Sequence, residues 1–141
     1  SRGLGDVYKR QRLLRSRLCA STPAQYGYLA GLRDDSNWLQ GHRDRIKQRL
    51  DHCMMRISEI EGIECEEPGG AFYLFVRITR DDMSPDDKRF VLDLLNQKHV
   101  LVVHGSGFSP EYGRGHFRMV CLPPIEVLDE AFDRISDFLG R

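Results

Sequence analysis

Two apolar runs joined by a glycine-rich loop, within residues 100–122, decide how this sequence folds. The first run leads into the loop as Val100-Leu101-Val102-Val103-His104-Gly105-Ser106-Gly107-Phe108, and the second reads His116-Phe117-Arg118-Met119-Val120-Cys121-Leu122. Runs of β-branched and aromatic residues that end at glycines are typical of strands. We therefore expect a short buried strand over 100–103, a glycine turn at its end, and a second strand over 116–122.

Helices are predicted on both sides of these strands. From His42 to Ile60 the main apolar residues are spaced four, three, four and three apart, which is the stripe of an amphipathic helix. A second helix is expected to start at Ser84-Pro85, with the hydroxyl as N-cap and proline at the first helical position, and to end near Lys98. A third follows Pro123-Pro124, with an apolar stripe at Ile125, Leu128, Phe132, Ile135 and Leu139.

A further strand is predicted over Ala71–Ile78, after the turn sequence Pro68-Gly69-Gly70. Because this run is almost continuously apolar, we expect it to be buried on both faces for most of its length. The element order is helix, strand, helix, strand, strand, helix. It predicts an α/β or α+β layer structure, with helices packed on a small mixed sheet.

The composition is that of one ordinary domain without a charged or lipid partner. The 141 residues carry 21 basic and 21 acidic side chains, so the balance gives no support to a nucleic-acid or anionic-membrane partner. No apolar run reaches the roughly eighteen residues of a membrane span. The four cysteines form no Cys-x-x-Cys pair, so we expect buried thiols in a reducing, cytoplasmic compartment and no metal site.

Arg118 is the residue most in need of explanation, because strand alternation places it between apolar neighbours. One face of its strand would carry Phe117, Met119 and Cys121, and the other Arg118, Val120 and Leu122. A guanidinium sunk in apolar surroundings requires an anion, and its planar fork matches both oxygens of a carboxylate. The alternative is a strand arginine paired with a carboxylate on the protein surface.

Other candidate chemistry is weaker. Gly105-Ser106-Gly107 does not extend to a dinucleotide fingerprint, because Pro110 stands where the third glycine belongs. The five histidines lack metal-ligand spacing. No serine nucleophile elbow and no pair of catalytic carboxylates can be assembled.

Residues 1–11 are predicted to be a non-native leader. Their sequence, Ser-Arg-Gly-Leu-Gly-Asp-Val-Tyr-Lys-Arg-Gln, back-translates without mismatch to the adapter of transposase-based sequencing libraries. The alternative is a natural basic arm. On the adapter interpretation the reading frame was entered in mid-gene, and the chain is a fragment.

Four stretches, in order and spacing, resemble the C-terminal part of class I aminotransferases of fold type I. They are Ser21-Thr22-Pro23-Ala24-Gln25, Pro68-Gly69-Gly70-Ala71-Phe72-Tyr73-Leu74-Phe75, Val100 to Phe108, and His116-Phe117-Arg118. The resemblance covers essentially everything after residue 11. Val103 to Phe108 and Phe117 to Pro124 look most like the alanine aminotransferase subgroup.

The resemblance implies a domain organisation and a site. Residues 12–39 would be the end of the large domain and a connecting segment, and residues 40–141 the C-terminal small domain. Arg118 matches the arginine that binds the substrate α-carboxylate, Phe72 and Tyr73 would line the substrate pocket, and Ser21 and Thr22 would lie near the active site of the neighbouring subunit of a homodimer.

The resemblance also implies the cofactor and the reaction. Pyridoxal 5'-phosphate would be held mainly by upstream residues, including its lysine, so no catalytic residue is expected in this chain, which should be inert alone. The parent enzyme would move an amino group between an amino acid, alanine above all, and a 2-oxo acid such as 2-oxoglutarate. Aspartate and aromatic donors remain open, as does a free-standing α+β carboxylate-binding or regulatory module without catalysis.

Overall fold

A computed structural model describes residues 4–16, 19–34 and 36–140 of the chain. It divides into two compact units, Ser1–Trp38 and Leu39–Arg141, which are described separately below. Residues 1–3 of the predicted leader and Arg141 of the predicted small domain lie outside the described residues. The assignment of residues 12–39 to the end of a larger domain stays a prediction.

The first unit contains two helices, α1 (Leu4–Ser16) and α2 (Thr22–Arg33). Helix α1 begins inside the segment predicted to be a leader. Pro23 stands in the first turn of α2, where its missing N–H has no intrahelical partner to lose. The side chains described in α1 and all those of α2 are exposed, so the described residues of this unit form no buried core.

The second unit contains three helices and four strands. In chain order these are α3 (Trp38–Ser58), β1 (Ile63–Glu64), β2 (Tyr73–Ile78), α4 (Asp87–Lys98), β3 (Val103–His104), β4 (His116–Val120) and α5 (Ile125–Leu139). The strands form one sheet in the order β1-β2-β4-β3. Phe75 of β2 and Val103 of β3 lie opposite Arg118 of β4, which places Arg118 in the interior of the sheet.

One hydrophobic core joins the three helices to one face of this sheet. The fully buried side chains include Cys53 of α3, Leu74 and Val76 of β2, Leu94 of α4, Phe117 and Cys121 of β4 or its end, and Phe132 and Ile135 of α5. The apolar stripes predicted for α3 and α5 supply this core, and the α+β fold class is confirmed.

The prediction of a mixed sheet is wrong. Within the described residues every strand pair is antiparallel. Strands β3 and β4 are joined by the loop 105–115 without the crossover that parallel neighbours need, so the chain reverses there.

The prediction that the 71–78 strand is buried on both faces is also wrong. Leu74, Val76 and Ile78 are buried, whereas Phe75 is 39% exposed and Arg77 is exposed. The helices of this unit pack on one face only, so alternate residues point away from them. For the same reason the 100–103 run is half-buried, and only its last residue, Val103, is paired in the sheet.

The start of α4 differs from the sequence prediction by one turn. Ser84-Pro85-Asp86 forms a short 3-10 turn, and α4 begins at Asp87. The N-cap is Asp86 rather than Ser84, since the Asp86 carboxylate accepts the backbone N–H of Arg89 at 2.9 Å. Carboxylates are as good at this position as hydroxyls, so the pattern allowed either start.

No helix in the described part of the chain is both long and apolar enough to cross a membrane. Among the same residues, no group of three or more His, Cys, Asp or Glu side chains is arranged to hold a metal ion.

Candidate functional site

Arg118 lies on the face of the sheet that the helices leave open. Its neighbours along β4, Phe117 and Met119, are buried in the core, so alternation sends the Arg118 side chain to the other side. The Arg118 side chain is half-buried there. Part of the predicted apolar surroundings is therefore missing, because Val120 is 40% exposed on this face.

Two aromatic rings replace those surroundings. The Arg118 guanidinium carbon stands 4.4 Å from the centre of the Tyr73 ring and 4.2 Å from the centre of the Phe108 ring. Both distances lie well within the roughly 6 Å range of a cation–π contact. Tyr73 comes from β2 and Phe108 from the loop between β3 and β4, so the guanidinium lies in a slot between two separate elements, which we call the aromatic slot.

Arg118 has no anionic partner among the described residues. Its Nε is buried and makes no hydrogen bond with any of them. Other arginines of the same unit are paired, as in Arg56 with Asp129, Arg77 with Glu64 and Arg134 with Glu130. A buried unsatisfied donor is costly, so the slot favours an incoming anion, and the guanidinium fork fits a carboxylate bidentately. The alternative of a pair with a surface carboxylate is not observed within residues 36–140.

The glycine turn carries Phe108 to Arg118. Residues Gly105–Gly107 form a 3-10 turn, and the backbone N–H of Phe108 donates to the Gly105 carbonyl at 2.9 Å. The Ser106 N–H donates to the Asp87 carboxylate at 2.7 Å, and Asp87 is only 4% exposed. Sequence reasoning missed Phe108 and Asp87 as site residues. The one available signal was the position of Phe108 directly after the glycines.

Of the sequence-predicted residues Phe72 and Tyr73, the structure places Tyr73 directly against Arg118. The Phe72 and Tyr73 ring centres are 4.4 Å apart, and Tyr73 itself stacks on Arg118. Ala71 adopts a left-handed φ of 63°, so the backbone changes direction directly before these rings. Phe72 also lines a groove of about 380 Å³ beside α3. That these rings contact a substrate stays a prediction.

Ser21 and Thr22 stand at the N-terminus of α2 in the first unit, where both are exposed. The structure does not test their predicted place near a neighbouring subunit's site.

The four cysteines differ in burial, and Cys65 is only half-buried. Cys53 and Cys121 are completely buried, as predicted, and they share a hydrogen bond that, together with burial, raises the pKa of the Cys121 thiol far above its usual value. Cys19 is exposed, so the prediction of burial is wrong for this residue.

Comparison with known proteins identifies relatives over nearly the whole chain. The sequence model of the family "Aminotransferase class I and II" matches residues 5–135. The glutamate-pyruvate aminotransferase AlaA of Haemophilus influenzae is 36% identical over 88% of this chain and 31% of its own length. The family match begins inside the predicted leader, whose origin stays a prediction.

Solved structures agree in fold. An alanine aminotransferase from Pyrococcus furiosus superposes with a TM-score of 0.83 and 47% identity, over 99% of this chain and 35% of its own. An aromatic aminotransferase from Pyrococcus horikoshii superposes with a TM-score of 0.82 and 29% identity, over 92% of this chain and 34% of its own. This chain thus spans about a third of the length of the relatives that it matches.

Proposed function

Because this chain belongs to the class I and II aminotransferase family, we propose that it is the C-terminal part of an enzyme that transfers an amino group from alanine to a 2-oxo acid such as 2-oxoglutarate. In this proposal Arg118 binds the α-carboxylate of the amino acid. The observation that carries it is the guanidinium held between Tyr73 and Phe108 without an anionic partner in the described residues. The similarity to an AlaA and to an alanine aminotransferase supports alanine as the donor.

The carboxylate contact determines how the substrate lies. Two parallel N–H···O bonds fix both the position and the plane of a carboxylate, whereas a single ammonium fixes only its distance. A substrate held by its carboxylate has less freedom to lose before the transition state, which is the usual benefit of such a clamp. In this proposal the Tyr73 ring, which contacts the guanidinium, and the Phe72 ring next to it provide apolar contact for the remainder of the substrate.

The family implies pyridoxal 5'-phosphate, whose ring withdraws electrons from the amino acid when the cofactor is bound. The lysines of this chain do not fit the role of cofactor attachment. Lys47 donates to both oxygens of Asp51 at 2.9 Å, which raises the pKa of its ammonium group, and Lys98 is paired with Asp137. Lys88 and Lys9 are exposed. No step through the cofactor is therefore assigned to this chain, and attachment belongs to residues outside it in our proposal.

We further propose that the complete enzyme is a cytoplasmic homodimer. The fragment alone should be inactive. Incubated with the cofactor and borohydride, it should yield no pyridoxyl adduct at any single lysine.

A chimeric enzyme tests the proposal. Residues 12–141 would be joined to the part of the Pyrococcus furiosus alanine aminotransferase that precedes its matching region, since the two proteins are 47% identical where they superpose. Replacing Arg118 with Lys keeps the charge but loses the fork. We expect kcat/KM for alanine to fall by a factor that corresponds to about 2 to 5 kcal/mol of activation free energy. This is the range for truncating one partner of a buried charge pair.

Two controls separate a carboxylate clamp from a structural arginine. Arg89→Lys, on the exposed surface of α4, should leave kcat/KM unchanged. The single-turnover rate with ethylamine, which lacks the carboxylate, should hardly respond to Arg118→Lys. Equal losses for alanine and ethylamine would show that Arg118 supports the fold, and its assignment to the substrate carboxylate would then be wrong.

A further inference from the structure

We propose that Phe108 and Asp87 are positioning residues of the carboxylate site. Phe108 holds the plane of the Arg118 guanidinium from the loop side, and Asp87 holds the turn that carries Phe108. This inference rests on the proposed function of Arg118, and it adds a second layer of residues that sets the geometry of the clamp before any substrate arrives.

The two rings restrict how Arg118 can move. An arginine side chain has four rotatable bonds, and an exposed one loses much of that freedom on binding. Here the guanidinium carbon lies 4.4 Å from one ring centre and 4.2 Å from the other, so a movement of the guanidinium away from this position would break both contacts. The edge of the fork therefore presents its donors in one orientation, which reduces the entropy lost when a carboxylate binds.

The two rings are not held equally well. Tyr73 lies in β2, paired with Val120 of β4. Phe108 follows the turn in an irregular loop and is 50% exposed, so its position depends on what anchors that loop. The Phe108 ring also contacts the Phe75 ring in a T-shaped arrangement, with ring centres 6.3 Å apart.

Asp87 supplies the anchor. The residue is 4% exposed, yet its Oδ2 accepts the backbone N–H of Ser106 at 2.7 Å, across 19 residues of sequence. Asp87 is also the first residue of α4, where the positive end of the helix dipole stabilises a carboxylate. Because α4 packs into the core through Phe90 and Leu94, the turn is tied to the hydrophobic core of the unit.

The chain of contacts is short. It runs from the buried carboxylate of Asp87 to the Ser106 amide, through the turn to the Phe108 ring, and from that ring to the Arg118 guanidinium. A disturbance at Asp87 should therefore reach Arg118, although the two side chains share no contact among those described.

The side-chain Nε–Hε resonance of Arg118 in the 141-residue chain measures this coupling without any cofactor. This resonance would be assigned by its absence from the spectrum of Arg118→Lys. Because the proton lies in a guanidinium between two ring faces, we expect an upfield-shifted signal with slow exchange. Phe108→Leu should move it downfield and speed its exchange. Tyr112→Leu, which removes an exposed ring of the same loop, should leave it in place.

The Asp87 arm of the test uses a conservative variant and a matched control. Asp87→Ala removes the acceptor of the Ser106 N–H and should shift the Arg118 signal in the same direction as Phe108→Leu. Asp87→Asn keeps an acceptor oxygen and should restore the wild-type signal. Asp86→Ala removes the N-cap of α4 without touching Ser106, so it reports on helix stability alone. Backbone amide dispersion shows which variants remain folded.

Titration with acetate, against chloride at equal ionic strength, separates this inference from the proposed function. We expect acetate to move the Arg118 signal in the wild-type chain. The dissociation constant of acetate should be raised about threefold to tenfold in Phe108→Leu and Asp87→Ala. An Arg118 signal that is indifferent to Phe108→Leu and Asp87→Ala would overturn the positioning roles, even if acetate binds. A signal that responds to both variants but not to acetate would instead overturn the carboxylate site, and with it the reason for positioning it.

Discussion

Gly105 and Gly113 lie in direct backbone contact across the loop that joins β3 to β4. A Cβ atom on Gly113 would stand 2.0 Å from the Gly105 carbonyl oxygen, and one on Gly105 would stand 2.3 Å from the Gly113 carbonyl oxygen. No side chain fits at either position. The contact closes the loop directly beside the turn that carries Phe108, so these glycines serve close approach and not nucleotide binding.

Gly105→Ala is therefore expected to destabilise the fold. The clash is with backbone, which cannot move aside as a flexible side chain can, so the free energy of unfolding should fall by about 1 to 3 kcal/mol. The measurement is the urea midpoint. Gly70→Ala is the matched control, because a Cβ there meets no atom within 4 Å. It should change stability by less than about 0.5 kcal/mol. Equal urea midpoints for the two variants would mean that the loop accommodates a Cβ at Gly105 without loss of stability.

A valine pair tests which face of the sheet carries the core. Val76 of β2 is completely buried, whereas Val120 of β4 is 40% exposed on the open face. Val76→Ala removes two methyl groups from close packing and should cost about 1.5 to 3 kcal/mol, and Val120→Ala should cost well under half of that. Urea denaturation of both variants in the same buffer gives the difference between their free energies of unfolding. A similar loss for both would restore the sequence prediction of a strand buried on two faces.

The fall in the free energy of unfolding at acid pH should depend on Asp129. Its carboxylate accepts a hydrogen bond from His52 at 2.8 Å and is also paired with Arg56, and these contacts lower its pKa below the usual 3.8. A folded-state pKa below the unfolded value contributes stability that is present above the unfolded pKa and lost as pH falls through the folded pKa. Asp129→Asn should thus lower the urea midpoint at neutral pH and flatten its decline between about pH 5 and pH 3.

Asp93→Asn is the control for that titration, since Asp93 forms only a long contact of 3.4 Å with Arg89 on the surface of α4. The urea midpoint of Asp93→Asn should decline at acid pH in the same way as that of the unmodified chain. If the Asp129→Asn curve also ran parallel to the unmodified one, the contacts with His52 and Arg56 would contribute nothing to acid stability.

Thiol reactivity should follow burial. Cys19 is exposed, while Cys53 and Cys121 are fully buried and the pKa of Cys121 is raised by its hydrogen bond to Cys53 and by burial. Since the thiolate is the reactive form, Ellman's reagent should label Cys19 rapidly, the half-buried Cys65 more slowly because burial raises its thiol pKa, and the buried pair only after denaturant is added. Cys19→Ser should remove the fast phase. Rapid labelling of Cys121 in the native chain, located by mass spectrometry, would contradict this arrangement.

Periodicity predicted the three helices of the second unit, whereas α1 and α2 were not among the predicted elements. The apolar stripes of α3 and α5 can be read from residues three and four apart, and such spacing acts within one helix whatever surrounds it. The end of α4 at Lys98 was likewise predictable, whereas its start depended on which of two adjacent cap sequences the folded chain uses. The mixed sheet and the doubly buried strand could not be judged from local pattern, because both depend on which elements pair across the chain.

The candidate site divides in the same way. The sequence by itself determined that Arg118 would stand on a strand after a glycine turn, since this follows from local alternation and turn chemistry, whereas Phe72 and Tyr73 were assigned to the site through the family resemblance. Only the tertiary structure decided that Tyr73 and Phe108 enclose the guanidinium, and that Asp87, 19 residues before Ser106, holds the turn. Contacts of this kind join residues that no local pattern links, and they exist only once the helices have packed on one face of the sheet and left Arg118 on the other.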